Sequence, residues 1–163
     1  MADIKTGYGT SGQVLTITLT SLADSSTAGR ESTSVSNTTD MWLDVLIQGK
    51  VKPQNSGSIA APSAAFVYAY ASADGGSDWP DAVTGTDAAI TLNNPTQLKL
   101  LGAIYAAAIN VQYKGGPWSL AALYGGRMPE KWGIVVVNDM GTALSATASD
   151  HVFEWQGIYA TAS

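Results

Sequence analysis

Alternation of apolar and polar positions is the clearest pattern in this sequence, and it predicts β-strands. Residues 13–22, QVLTITLTSL, place Leu15, Ile17 and Leu19 on one face and threonines on the other, as in a half-buried antiparallel strand. Residues 130–139, EKWGIVVVND, give the strongest strand signal, an apolar run that stops at Asn-Asp. The same pattern predicts strands at 41–52, 64–73, 88–94, 97–108, 108–116, 117–126 and 150–160, with 140–146 as a weaker candidate.

Three of these segments also predict which side chains share a face, because alternate residues of a strand point the same way. The predicted faces are Met41, Leu43, Val45 and Ile47 in segment 41–52, Phe66, Tyr68 and Tyr70 in segment 64–73, and Phe153, Trp155 and Tyr159 in segment 150–160. In segment 64–73 the opposite face carries small residues. Apolar and small faces of this kind are typical of two sheets that pack on each other.

The segments between the predicted strands are polar or rich in glycine and proline. Residues 23–40 form a long connection rich in serine and threonine, and 53–63 and 74–87 are predicted loops. Residues 1–12 hold three glycines and few apolar side chains, which indicates a flexible or docked arm. The alanines of 100–109 would suit a helix, but Gly102 and the β-branched neighbours favour a strand.

These elements predict one all-β domain over residues 13–163. Many short strands at regular spacing, with little or no helix, are typical of an antiparallel β-sandwich or jelly roll of about eight strands. A chain of 163 residues is long enough to bury a substantial core in such a domain.

Composition adds a prediction about the surface. Charged residues make up 13% of the chain, against about 25% in an average globular protein, so the polar surface consists largely of serine, threonine and asparagine. Because a surface with few charges limits the solubility of a free monomer, this composition favours a protein that assembles with others.

Charge and cysteine content narrow the classes of function. The net charge is −5 and the 8 basic residues are scattered, which predicts no nucleic-acid binding. There is no cysteine, so disulfides and thiolate chemistry are excluded. The sequence shows neither an apolar stretch of signal-peptide type nor a run of about 18 apolar residues, which predicts synthesis in the cytoplasm and no membrane contact.

The candidate catalytic and metal-binding residues all have a simpler structural interpretation. His151, the only histidine, follows Ser149 and Asp150, but neighbours on a strand point to opposite faces, so a surface histidine is favoured over a triad. The carboxylates Asp74, Asp78 and Asp81 lie in a loop without the spacing of a calcium site, which favours a turn. A metal site is therefore not predicted.

Two further groups of residues have spacings that invite comparison with known chemistry. The carboxylates Asp44, Glu130 and Glu154 would suit a glycosidase, but each also fits the solvent side of an alternating strand. The glycine pairs at 115–116 and 125–126 lack the context of a phosphate-binding loop and indicate turns. We therefore predict no enzymatic activity and no cofactor.

Aromatic residues leave sugar binding and protein binding open. The five tryptophans and seven tyrosines suit a sandwich core, an interface or a platform for glycans. Trp79 lies in a polar loop beside Asp78 and Pro80, where packing within the loop and contact with a ligand are equally compatible with the pattern. Exposure of Trp79 and Trp118 would favour a carbohydrate-binding module.

The chain also resembles a family of structural proteins from the virions of tailed bacteriophages. The resemblance runs nearly end to end, through MADIKTGYGTSGQVLTITLTSLA, TTDMWLDVLIQGKVK, VYAYASADGG, LKLLGAIYAAA, YKGGPWSLAALYGGRMPEKWGIVVVNDMGTALSA and WQGIYA. These are packing and turn motifs without a catalytic signature. Within the family, the chain is most similar to jelly-roll decoration (cement) proteins of the capsid.

The resemblance implies a location on the capsid exterior, binding across neighbouring subunits of the major capsid protein, and self-association as a dimer or trimer. The arm and the 23–40 connection are then expected to contact a neighbour. The candidate interface residues are Tyr8, Arg30, Trp79 and Trp118. The alternatives are a tail, fibre or head–tail joining protein, a carbohydrate-binding module for host glycans, and a glycosidase or depolymerase.

Overall fold

A computed structural model describes residues 3–59 and 63–162 as two antiparallel β-sheets stacked face to face. Residues 1–2 of the predicted arm, residues 60–62 of the predicted 53–63 loop and residue 163 lie outside the described part. The first sheet contains β1 (Ile4–Tyr8), β2 (Gln13–Val14), β5 (Asp44–Val51), β9 (Tyr113–Ser119) and β11 (Val152–Ala162). The second contains β3 (Ala28–Glu31), β4 (Val35–Ser36), β6 (Ala64–Ser72), β7 (Ala88–Thr91), β8 (Lys99–Tyr105) and β10 (Lys131–Asp139). Short 3-10 helices span Pro95–Gln97, Ala121–Tyr124 and Ala148–Asp150.

The strand order is that of a jelly roll. The first sheet runs β2-β11-β5-β9 and the second β3-β10-β6-β8, so each ribbon of consecutive strands gives one strand to each sheet. The four ribbons β2–β3, β5–β6, β8–β9 and β10–β11 therefore lie side by side in the order first, fourth, second, third. Two nested Greek keys have this order. The prediction of an all-β sandwich with about eight framework strands is confirmed. β1 and β7 lie at sheet edges, and β4 pairs with the first residues of β10.

Strand β10 explains why EKWGIVVVND is apolar without interruption. Trp132, Ile134 and Val136 point into the core between the sheets. Val135 and Val137 point the other way, into a second apolar cluster. Because β10 is central in its sheet and covered on both faces, every position in it favours an apolar side chain.

The second cluster covers the outer face of β10 and β6, and its members come from β10 and from the segment 66–98. They are Tyr70, Val83, Ile90, Leu92, Leu98, Val135 and Val137, with Phe66, Tyr68 and Trp79 at its margin. The predicted aromatic face of β6 thus packs here. The opposite, small face of β6, with Ala65, Val67 and Ala69, enters the core between the sheets.

The predicted face of segment 41–52 is correct only from residue 45 onward. Val45 and Ile47 are fully buried, whereas Met41 is 70% exposed and Leu43 is 57% exposed. The reason is that β5 begins at Asp44, so Met41 and Leu43 belong to the loop that precedes the strand.

Five other predictions are wrong or incomplete. Segment 117–126 is a strand only as far as Ser119 and then forms a 3-10 helix, and the glycine pair 115–116 lies within β9 rather than in a turn. The 23–40 connection contains β3 and β4, and the charged residues of β3, Arg30 and Glu31, are bonded within the fold. In segment 13–22 the buried residues are Leu15 and Leu19, as the alternation predicts, but only Gln13–Val14 forms a regular ladder. Segment 140–146 makes a single bridge, between Pro53 and Leu144. The strand expected in 97–108 is confirmed as β8.

Candidate interaction surface

The loop 37–43 is fixed to the sandwich by a network of hydrogen bonds. The side chain of Asn37 donates to the carbonyl of Trp42 (3.1 Å) and accepts from its amide (2.7 Å). The backbone amide of Asn37 donates to Glu130 O (2.8 Å), and that of Leu43 donates to Ile158 O (2.7 Å). The loop is therefore attached to both sheets and presents its side chains from a rigid base.

Met41 stands at the tip of this loop in an unusual backbone conformation. Its φ angle is 51°, in the left-handed region, which costs an L-residue other than glycine about 1 kcal/mol or more. Its amide donates to Asn37 O at 3.1 Å, which helps to hold the turn. The fold thus maintains a strained conformation that directs an apolar side chain into solvent.

Two aromatic rings support the loop, and glycines make room for both. The indole of Trp42 lies over Gly9 and Gly157, where an added Cβ would overlap the ring. The phenol ring of Tyr159 lies over Gly7, where an ideal Cβ would be 2.5 Å from Tyr159 Cε2. At Gly7 and Gly9, therefore, glycine allows close packing of an aromatic ring against the backbone, as in the docked alternative for residues 1–12.

The residues Tyr8, Met41, Leu43 and Tyr159 form what we call the apolar edge surface. They line an open depression of about 720 Å³, with Thr10 and Asp40 also at its boundary. The Trp42 and Tyr159 rings meet beneath it at 5.7 Å and 50°. Single exposed apolar residues are ordinary, but several large ones on one rigid site are typical of a surface that binds another molecule.

Strand β1 adds an unpaired sheet edge next to this surface. Among the described residues, β1 pairs only with β11. The amide of Gly9 donates to Gly157 O, so by alternation Lys5 and Gly7 also bond towards β11. The backbone groups of Ile4, Thr6 and Tyr8 then point to the open side. An open edge offers main-chain donors and acceptors to a further strand.

The side chain of the predicted interface residue Arg30 forms an ion pair and a hydrogen bond within the fold. Its Nε lies 2.6 Å from Asp87 Oδ1, and its Nη2 donates to Asp87 O (3.0 Å). The other Asp87 oxygen accepts from the hydroxyl of Thr18 (2.6 Å). Partial burial raises the pKa of Asp87, but the bonds from Arg30 and Thr18 outweigh it and hold the pKa below its ordinary value. Asp87, just before β7, therefore links Arg30 of β3 to Thr18 of segment 13–22.

The predicted contact residues Trp79 and Trp118 are both half-buried. Trp79 meets Tyr70 edge-on, with ring centroids 5.2 Å apart, and lies against Gly85. Trp118 lies across Gly102 and packs on the main core. Of the four predicted interface residues, only Tyr8 lies on the apolar edge surface. Met41, Leu43 and Tyr159, which also line this surface, were not predicted as contact residues, because alternation assigned each of them to a shared strand face.

His151 is buried, so the prediction of a surface histidine is wrong. Its Nε2 lies 2.9 Å from Ser145 O, and its Nδ1 accepts from the amide of Lys52 (3.4 Å). The hydroxyl of Ser145 donates to Asp150 rather than to the imidazole. The residues 145–151 fold back over the ring, which alternation along the chain does not reveal.

This burial predicts a pH dependence of stability. Burial lowers the pKa of His151 from its ordinary 6.5, and the nearby Ser145 carbonyl and Asp150 do not offset this, while Lys50 and Lys52 reinforce it. The unfolded chain then binds this proton at higher pH than the folded protein. We expect the free energy of unfolding to fall as the pH drops below about 6.5, and His151→Gln to remove that decrease. Urea denaturation at a series of pH values measures it, and equal slopes in both proteins would contradict it.

The carboxylates of Asp44, Asp74, Asp81 and Glu154 each have separate partners. Asp74 accepts backbone amides from residues 76–78, and Asp81 accepts those of Asn93 and Asn94, so both organise turns. Asp44 accepts from the Ser119 hydroxyl and the Ala121 amide. Within 3–59 and 63–162, no three His, Cys, Asp or Glu residues converge in a way that could bind a metal ion. Glu154 Oε2 accepts from the side-chain amide of Gln48 (3.3 Å), and Glu130 is exposed.

No known protein family, characterised protein or solved structure matches this chain. The described residues also include no helix with the length and apolar character needed to cross a bilayer.

Proposed function

We propose that this chain is a structural virion protein of a tailed bacteriophage that decorates the capsid exterior. The observation that supports a binding role is the apolar edge surface, where two side chains of a hydrogen-bonded loop, Met41 and Leu43, lie beside Tyr8 and Tyr159. The sequence resemblance to decoration proteins supplies the partner, the major capsid protein. Binding across neighbouring capsid subunits would stabilise the shell, since these contacts must break before it ruptures.

The chemistry of the surface suits a protein partner. Interface centres are enriched in aromatic residues and methionine and depleted in charge, which describes Tyr8, Met41 and Tyr159. The supporting loop is already ordered by Asn37, so binding costs little conformational entropy. Repeated copies on one shell reinforce one another through a high effective concentration. A glycan partner is less well supported, because the Trp79 and Trp118 rings pack within the fold.

Quantitative mass spectrometry of purified virions tests the location. We expect this chain at a simple fraction of the copy number of the major capsid protein. A copy number close to that of a tail or connector ring would contradict decoration and favour the tail, fibre or head–tail joining role. Complete absence from the particle would overturn the virion proposal.

A pair of substitutions tests the surface itself. Met41→Asp and Leu43→Asp place a carboxylate in the proposed contact, and we expect each to weaken binding to capsids stripped of this protein by more than about tenfold, or about 1.4 kcal/mol. Both residues are exposed, so the fold is retained. Titration of the capsids by co-sedimentation measures the affinity.

Leu100→Asp is the matched control. Leu100 is 53% exposed, but it lies on β8, at the edge of the second sheet. Its substitution is expected to leave capsid binding unchanged. Equal affinity of all three variants and the original protein would show that the apolar edge surface does not bind the capsid.

A further inference from the structure

We propose that two copies of this chain pair through β1, in an antiparallel arrangement with a two-fold axis at Thr6. The first sheets of the two copies would then form one continuous sheet. This goes beyond the proposed function, because it concerns the free protein and does not require a capsid.

The backbone of β1 supports this pairing. Ile4, Thr6 and Tyr8 direct their main-chain donors and acceptors away from β11, as described above. A two-fold axis at Thr6 places Ile4 opposite Tyr8 of the second copy and Thr6 opposite its own equivalent. These are the positions at which antiparallel strands exchange hydrogen bonds, and three such pairs give about six bonds.

The side chains on one face of β1 complement each other in this register. Ile4 is 80% exposed and Tyr8 is 59% exposed, and both are unusual as free residues on an edge strand. The two-fold axis sets them opposite each other twice, as aromatic and β-branched cross-strand pairs that stabilise sheets. The two threonines at the axis form a third favourable pair.

Lys5, on the other face of β1, favours the same register. Lys5 stands opposite Gly7 of the second copy, and the ring of that copy's Tyr159 covers Gly7. The Lys5 ammonium group can therefore lie over a tyrosine ring, a favourable cation–π arrangement. An axis at Lys5 instead would place two ammonium groups directly opposite, and an axis at Gly7 would leave Ile4 without Tyr8. Only the axis at Thr6 satisfies all these pairs.

The absence of cysteine permits a direct test. In Thr6→Cys, the single thiol would face its equivalent across the axis, with Cα atoms about 5.5 Å apart. We expect a short thiol-specific cross-linker to join two copies at least tenfold faster than in Thr91→Cys. Thr91 is the matched control because it is an exposed threonine on β7, an edge strand of the other sheet. Equal rates for the two variants would overturn the proposal.

Light scattering of the protein without cross-linker provides the second measurement. The expected mass is that of a dimer, and Thr6→Arg, which sets two guanidinium groups against each other at the axis, should yield a monomer. A monomeric or trimeric mass for the original protein would overturn the proposal. So would a Thr6→Arg variant that remains dimeric. Capsid binding by Met41→Asp is measured separately, so failure of the dimer and failure of the decoration role can be told apart.

Discussion

Gly157→Ala is expected to destabilise the protein by about 2–3 kcal/mol and to dismantle the apolar edge surface. Gly157 is buried in β11, and a Cβ there would overlap the six-membered ring of Trp42, which also lies over Gly9. The indole cannot move inward because it packs against the core, so the loop 37–43 must move outward. Urea denaturation gives the loss of stability.

Two further variants make this test specific. Thr161→Ala changes an exposed residue of the same strand and should leave the unfolding midpoint unchanged. In the background of Trp42→Leu, the added methyl group at position 157 has no indole to displace, so its cost should fall by at least half. A double-mutant cycle measures this coupling. Additive effects of Gly157→Ala and Trp42→Leu on the free energy of unfolding would show that the Trp42 ring does not require a glycine at position 157.

Glu31→Gln is expected to cost about 3 kcal/mol and to release the segment 74–87. Glu31 is 1% exposed, and its carboxylate accepts from the amide of Thr84 (2.9 Å), the Thr84 hydroxyl (2.7 Å) and the amide of Gly85 (3.0 Å). A glutamine would direct an NH₂ group at N–H donors, leaving buried donors unpaired. Hydrogen bonds to charged groups each contribute about 1.5–3 kcal/mol.

Release of this segment has a local readout. Gly85 lies against Trp79, and Trp79 packs on Tyr70, so loss of the Glu31 bonds should expose the tryptophan. We expect a red shift of tryptophan fluorescence and faster proteolytic cleavage within 74–87. Glu130→Gln, at an exposed carboxylate, is the control. Unchanged cleavage in Glu31→Gln would contradict the assignment of Glu31 as the anchor of this segment.

The sequence predicted elements well where one physical effect decides the pattern. Segment 130–139 is recognisable because burial on both faces selects apolar residues at every position. Segment 13–22 is recognisable by its faces, but Leu15 and Leu19 are buried by packing while only Gln13–Val14 pairs regularly. Alternation reports which side chains are buried and does not report which backbone groups are bonded.

The candidate surface was harder to predict because it depends on contacts between distant segments. Gly7 and Gly157 are about 150 residues apart in sequence, and each is required by a ring from another element. Without those rings, glycine near the amino end indicates flexibility. The exposure of Met41 likewise depends on where β5 begins, and strand boundaries are the part of a sequence-based prediction most prone to error. Tyr8 was identified, but its neighbours in the surface were not.

The ribbon order described above has a consequence for how the protein reaches its fold. Because the first ribbon lies beside the fourth, Glu31 in β3 pairs with Val135, about 100 residues later in the chain. During synthesis β3 can pair with β7, but its other edge, and the edge of β2 that pairs with β11, stay open until β10 and β11 have left the ribosome. Folding is therefore expected to finish late and slowly, and residues 13–31 are the segment most exposed to incorrect pairing before the last ribbon arrives.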